Sequence, residues 1–213
     1  MPYKFWSWLN ALMNVVQNPL ALVLNLVAMF GTTSIAANAV ANSLTAFQVL
    51  PGIAIGLALL TVIARCVGAG DYEQAQYYNR RLVLYSYGLI FATNVIFYFL
   101  LPLFLKLYQL SPETATLARQ VILLHGLCSI VIWPASFTLP NTLRAAGDVK
   151  YTMIISMLSM WIWRVAFSYV LGEWLHWGLI GIWVAMIIDW AVRGVFFLIR
   201  YQRGKWKSIQ VIR

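Results

Sequence analysis

Between Phe5 and Ala64 the chain carries no Lys, Arg, Asp, Glu or His, a run of 60 residues. Two more such runs follow, Leu82 to Leu105 and Gln120 to Leu143, the second broken only by His125. Uncharged stretches of this length are too long for the core helices of a soluble protein. They suit a hydrocarbon layer about 30 Å thick, which roughly 20 helical residues cross. In lipid the backbone must satisfy its own hydrogen bonds, so these stretches are expected to be helices. Continuous apolar runs, rather than alternation over about ten residues, argue against a membrane β-barrel. The expected fold class is all-α, a polytopic integral membrane protein. Its six spans are placed at Trp6–Phe30, Ile35–Val67, Leu82–Leu107, Thr114–Pro140, Tyr151–Leu171 and Gly178–Arg200.

A net charge of +9 raises the question of a nucleic-acid partner. The basic residues answer it, because they lie in short loops and a tail. With the N-terminus cytoplasmic, Lys4, Arg65, Arg80, Arg81, Arg144, Lys150, Arg200, Arg203, Lys205, Lys207 and Arg213 all fall on the inner side. Lys106 and Arg119 lie near the opposite face, and Arg164 and Arg193 fall within spans. This positive-inside pattern predicts both termini in the cytoplasm. The tail Arg200–Arg213 serves as a topology signal and also suits anionic headgroups. The apolar stretch after Met1 is too long for a secretory signal and lacks a small-residue cleavage site. Cys66 and Cys128 fall at a helix end and inside a span, and no disulfide is expected.

No linker or soluble domain interrupts the chain, which is expected to form a single six-helix membrane lobe over residues 1–213. One weak repeat is visible. Span two ends in Val67-Gly68-Ala69-Gly70-Asp71 and span four in Arg144-Ala145-Ala146-Gly147-Asp148. Glycine closes helices in the left-handed region and Asp caps the next one. Asp71 and Gln74 have capping-box spacing. Pro51, Pro134 and Pro140 predict kinks.

Span one is unusually polar. Asn10, Asn14, Gln17, Asn18 and Asn25 share a stripe of about 100° on a helix. Facing lipid, each amide would cost on the order of a kcal/mol or more. They are expected to line a wet cavity or bond to a neighbouring helix. Asn38, Asn42 and Thr45 share a face of span two, with Gln48 beside it. Span four aligns His125, Ser129, Trp133, Ser136 and Pro140 within about 80°. Asn10, Asn14, Gln17, Asn18, Asn25, Asn42, Gln48, Ser129 and Ser136 are therefore the substrate-cavity candidates. His125 is the proton- or ion-coupling candidate, with neutral hydrogen bonding as the alternative. Arg164 and Asp189 should lie at similar depth on antiparallel helices and form a buried ion pair, which Arg193 joins from the next helical turn. These three are read as structural charges. The sequence has no Walker loop, nucleophile elbow, catalytic triad or metal-ligand spacing. Neither an enzyme nor a metal or other cofactor is expected, apart from a coupling ion.

The residues also resemble a known family. Phe30-Gly31-Thr32-Thr33-Ser34-Ile35-Ala36-Ala37-Asn38-Ala39-Val40, Leu50-Pro51-Gly52-Ile53-Ala54-Ile55-Gly56 and Cys66-Val67-Gly68-Ala69-Gly70-Asp71 look like the multidrug and toxic compound extrusion (MATE) family. So do Leu139-Pro140-Asn141-Thr142-Leu143-Arg144-Ala145-Ala146-Gly147-Asp148 and the stretch from Gly181-Ile182-Trp183 to Gly204-Lys205-Trp206. Their order matches the C-terminal six-helix half of such transporters. The resemblance implies export of organic cations or amphipathic drugs across a bacterial plasma membrane, in exchange for Na+ or H+, by alternating access between two six-helix lobes. The N-terminal lobe is expected to be absent from this chain. The partner would then be a separate chain or a second copy, since parallel repeats about an axis normal to the membrane allow two like lobes to pair. Close relatives tend to carry Glu where Gln17 stands, and an amide neither takes up a proton nor neutralises a cation. Two other readings remain: an inactive fragment or non-transporting membrane interaction partner, and a lipid-linked precursor flippase of the same superfamily, which calls for a more cationic cavity.

Overall fold

The computed structural model describes residues 19–209, which form helices without strands. We number the helices α1 (Pro19–Met29), α2 (Gly31–Gly68), α3 (Tyr72–Leu107), α4 (Pro112–Ala145), α5 (Val149–Trp174) and α6 (Gly178–Gln202). A short 3₁₀ turn, Lys205–Ser208, follows. α2 to α6 are each long and apolar enough to cross a membrane. The fold class is therefore as expected. The polar stripe of span one lies outside the described residues except for Asn25.

The span boundaries differ from expectation in an instructive way. α3 begins at Tyr72, ten residues before the charge-free run starts at Leu82. Hydropathy marks where lipid begins, whereas the helix continues through the amphipathic stretch Tyr72–Arg81 outside it. At 1.5 Å per residue, the 38 residues of α2 extend about 57 Å, well beyond the hydrocarbon layer.

The glycine–aspartate repeat builds two matching helix ends. Gly70 has φ +75° and Gly147 φ +88°. Asp71 N–H donates to Cys66 O (2.9 Å) and Asp148 N–H to Leu143 O (2.8 Å), while Gly70 and Gly147 N–H donate to Val67 O and Arg144 O. These are paired Schellman closures. The aspartate side chains then diverge. Asp71 caps α3 by accepting from Gln74 N–H at 2.9 Å. Only this half of the expected capping box forms: the Asp71 N–H is already bound to Cys66 O, and the Cys66 thiol faces the Gln74 amide oxygen at 3.8 Å. Asp148 caps nothing. It is buried and takes a two-pronged bond from Arg200, Nε to Oδ2 at 2.7 Å and Nη2 to Oδ1 at 3.2 Å, tying the start of α5 to the end of α6.

Pro134 and Pro140 act locally as expected. Each lacks a ladder donor, and between them α4 loosens into a π-turn in which Leu139 N–H reaches Pro134 O at 2.9 Å. Gly52, after Pro51, lets Trp133 and Ile90 press onto the α2 backbone: a Cβ there would sit 2.5 Å from Trp133 Cζ3 and 2.6 Å from Ile90 Cδ1.

The interior has two apolar clusters. One surrounds Leu26, Leu44, Trp133, Trp183 and Trp190. The other gathers Leu59, Ile63, Leu143, Phe197 and Trp206 at the end carrying the glycine turns. Trp206 is fully buried, stacked on Tyr201 with centroids 5.5 Å apart and tilted against Tyr72 at 6.0 Å. The basic tail is thus partly a structural plug, which its charge pattern did not reveal. Small hydroxyl and amide contacts bind α3 to α4, from Thr142 to Asn79 (2.5 Å) and between Ser86 and Thr138 (3.0 Å). Between membrane helices such bonds do work that apolar burial cannot, because lipid is itself apolar. Accordingly, many large apolar side chains face outward, among them Phe91, Ile96, Phe99, Leu127 and Val131.

Candidate functional site: a polar seam and an amide-lined recess

A seam of polar groups runs through the bundle from α2 to α6. On α2, the Asn42 amide donates to Asn38 O at 2.9 Å. The Asn38 side-chain oxygen accepts from Trp183 Nε1 on α6 at 3.1 Å. Trp183 meets the edge of the His125 ring on α4 at 5.7 Å, and Trp190 meets it at 5.3 Å. His125 Nδ1 then donates to Gln48 Oε1 back on α2 at 2.8 Å. Ser129 Oγ, one turn further along α4, donates to Gly126 O at 2.9 Å. Ser136 Oγ donates to Trp190 O.

The inward face of α4 is therefore real but filled. His125, Ser129, Trp133, Ser136 and Pro140 are all buried. Ser129, Ser136 and His125 find their partners inside the lobe rather than lining open space. Gln48 is buried with its Oε1 against His125, and it also borders a second hollow among α2, α3 and α4. Asn25 is exposed on α1, on the side away from the buried Leu26 and Val27. Asn10, Asn14, Gln17 and Asn18 lie outside the described residues. The sequence reading missed Asn94 on α3, whose Nδ2 donates to Ile90 O at 2.8 Å and lies 3.5 Å from Ser129 Oγ. Its signal was available, as the only Asn in the charge-free run of α3.

The expected Arg164–Asp189 pair is corrected by the geometry. Asp189 is fully buried and bonds to Arg193 Nη2 (2.7 Å) and Ser159 Oγ (2.6 Å). Arg193, one turn along α6, occupies the carboxylate first and rests its guanidinium over Phe137 at 4.9 Å. Similar depth does not ensure a similar facing. Arg164 lies in a π-turn of α5, and its Nη2 points to Met186 Sδ at 3.3 Å. Among the described residues it has no carboxylate within 4.0 Å.

Arg164 instead borders a recess of about 240 Å³. Asn38, Asn42, Arg164, Trp183 and Met186 form its polar and polarisable wall, and α1 supplies an apolar wall through Leu20, Val23 and Leu24. Asn42 is exposed. A thioether is a weak acceptor, and among the described residues it is the one side-chain partner of the guanidinium. The recess offers amide donors and acceptors, an indole face and one positive charge. Among the described residues no group of His, Cys, Asp and Glu could hold a metal ion.

Residues 10–170 match the MatE family model. The chain belongs to the MatE family. This MatE chain is 28% identical over 188 residues to the uncharacterized transporter YisQ of Bacillus subtilis, covering 87% of the chain and 40% of that relative. It is 26% identical over 191 residues to the probable multidrug resistance protein NorM of Thermotoga maritima, covering 88% of the chain and 40% of NorM. A solved outward-facing structure of a multidrug resistance MATE family transporter superimposes with a TM-score of 0.79 at 16% identity, over 91% of this chain and 44% of that one. The MatE chain thus spans about 40% of the length of these relatives. Its family is one of membrane transporters, and its fold is that of part of such a transporter.

Proposed function

We propose that this lobe is one half of a secondary active efflux antiporter that exports organic cations or amphipathic drugs in exchange for Na+ or H+. It works in the plasma membrane with both termini in the cytoplasm, paired with a complementary six-helix lobe. The observation that carries the reading is the recess. A soft, amide-lined hollow bordered by Asn38, Asn42 and Trp183 holds varied amphipaths through apolar contact and a few hydrogen bonds.

Arg164 sets a condition on this reading. A guanidinium in the recess repels a cationic group, so an organic cation must place its charge away from Arg164, against the complementary lobe. Coupling follows the same logic. The one fully buried carboxylate among the described residues, Asp189, is held by Arg193 and Ser159. His125 sits between two indoles with its Nδ1 committed to Gln48. His125 is then a neutral structural residue, and the ion is bound by the other lobe or at the interface.

The test is accumulation of ethidium, a fluorescent organic cation, in efflux-deficient cells producing this chain with a six-helix partner lobe. Asn42→Leu and Arg164→Met should each change export several-fold while leaving the amount of membrane-inserted protein unchanged. His125→Gln should retain export under both a proton and a sodium gradient. Export unaltered in both recess variants would remove the recess from the transport path. Loss of export in His125→Gln under a proton gradient alone would make His125 the coupling residue after all.

A further inference from the structure

One interior cation of the lobe has no acidic partner in its own chain. The chain has six Asp and Glu residues, and all of them lie among the described residues. Asp148 is taken by Arg200 and Asp189 by Arg193. Asp71 caps α3, and Glu73, Glu113 and Glu173 are exposed near helix ends. None comes within 4.0 Å of Arg164. A guanidinium does not lose its proton in a protein, and a charge inside a membrane bundle is costly unless it is paired. Arg164 stands near the middle of α5, whose 26 residues run from Val149 to Trp174. Lipid phosphates lie at the level of helix ends and do not reach that depth.

The recess of about 240 Å³ that Arg164 borders is shaped for an acceptor. Arg164 Nη2 meets Met186 Sδ, while Nε and Nη1 bond to nothing among the described residues and are not sealed inside the protein. The Asn38 amide on the same wall is oriented by Trp183, whose Nε1 donates to its Oδ1 at 3.1 Å. That bond leaves Asn38 Nδ2 as a second donor without a partner among the described residues. The ring of Trp183 is held by the same bond and gives a flat face, and Leu20 and Val23 of α1 complete an apolar side. An acceptor-only group fits such an edge. A carboxylate matches a guanidinium fork in two-pronged fashion. Its single negative charge also balances a single guanidinium. A phosphate monoester carries nearly two charges and would leave one uncompensated in an apolar hollow.

We propose that the recess selects amphipaths carrying one carboxylate, which Arg164 and Asn38 hold while the apolar body lies between Trp183 and α1. The inference rests on the transport reading, in which the recess receives the substrate, and it narrows that substrate to carboxylic acids. An organic cation enters this class as a zwitterion, with its positive end away from Arg164. Arg164 is then a specificity residue for the exported compound.

The experiment uses the full chain in phosphatidylcholine vesicles at neutral pH with the photoreactive acid 4-benzoylbenzoate and, in parallel, its uncharged methyl ester. After illumination, adducts are mapped by mass spectrometry. Counts are divided by those on the outward-facing Leu84, Leu89 and Phe91 of α3, which corrects for unequal partition of the two probes into the bilayer. The acid should label the segments 20–24 and 182–186, and the ester should do so about tenfold less, the effect of one charge-assisted hydrogen bond. Arg164→Met should erase the preference while leaving labelling by the ester unchanged, which shows that the hollow is intact. Arg164→Lys, which keeps the charge but not the fork, should retain part of the preference. Competition by oleate built into the vesicles would identify a membrane fatty acid as occupant, whereas competition by added 2-naphthoate alone would identify an exogenous acid. Equal labelling of the recess by acid and ester, or a preference that survives Arg164→Met, would overturn the carboxylate assignment and leave the recess as a hollow for amphipaths. Labelling of the recess by neither probe would remove the recess itself, and the transport reading that rests on it.

Discussion

Replacing Arg193 with Met should destabilise the lobe by about 3–5 kcal/mol, the cost of breaking a buried pair by removing one partner. Asp189 has no exposed surface. Without Arg193 its only remaining side-chain partner among the described residues is Ser159. The double variant Asp189→Leu with Arg193→Met removes both charges and should recover most of the loss, because apolar replacements of buried pairs are often neutral. Unfolding of the purified protein by SDS in mixed micelles gives both numbers. If the double variant proves no more stable than Arg193→Met, the pair does not act as a compensated unit and the assignment fails. A further comparison concerns the pair first expected: Arg164→Met should cost far less than Arg193→Met, since Arg164 contacts a thioether rather than a carboxylate.

The second large effect is expected at Gly181. α5 and α6 approach so closely there that a Cβ on Gly181 would meet the Leu171 carbonyl carbon and oxygen at 2.7 Å and the Gly172 nitrogen at 2.9 Å. These are backbone atoms, and no rotamer change can clear them. Gly181→Ala should therefore force the helices apart and cost about 1–3 kcal/mol, as overpacking does in tight interiors. Gly88, in the middle of α3, gives the opposite sign. A Cβ there meets nothing within 4 Å, so Gly88→Ala should raise stability by up to about 1 kcal/mol through helix propensity. Equal effects at the two sites would show that the α5–α6 contact is looser than the structure has it.

The candidate site was legible to different depths. The amide face of Asn38 and Asn42 was visible because polar residues in an uncharged span must find partners, and helical spacing says which of them share a side. The inward face of α4 was visible for the same reason. Their occupancy was not. Whether His125 meets water, an acid or two indoles depends on Gln48, Trp183 and Trp190, which are remote in sequence. Asp189 took Arg193 rather than Arg164 because a partner one turn away on the same helix is fixed in place, whereas a partner on another helix requires the right rotation. The two aspartates of the glycine repeat show this most directly. The same local sequence gave the same helix closure twice, yet Asp71 capped its helix and Asp148 turned to Arg200.

The sequence by itself determined the solvent. Transfer from water to lipid is close to a sum over residues, so the lengths of uncharged runs were enough to give a bundle of membrane helices. Helix closure at Gly70 and Gly147 is equally local, set by backbone conformations that glycine adopts freely. The tertiary structure decided the pairing of charges, the closing of the α4 face, the burial of Trp206 and the shapes of the two hollows. Each of these depends on how one helix is rotated against another, and that rotation is fixed by many weak contacts acting together rather than by any single segment.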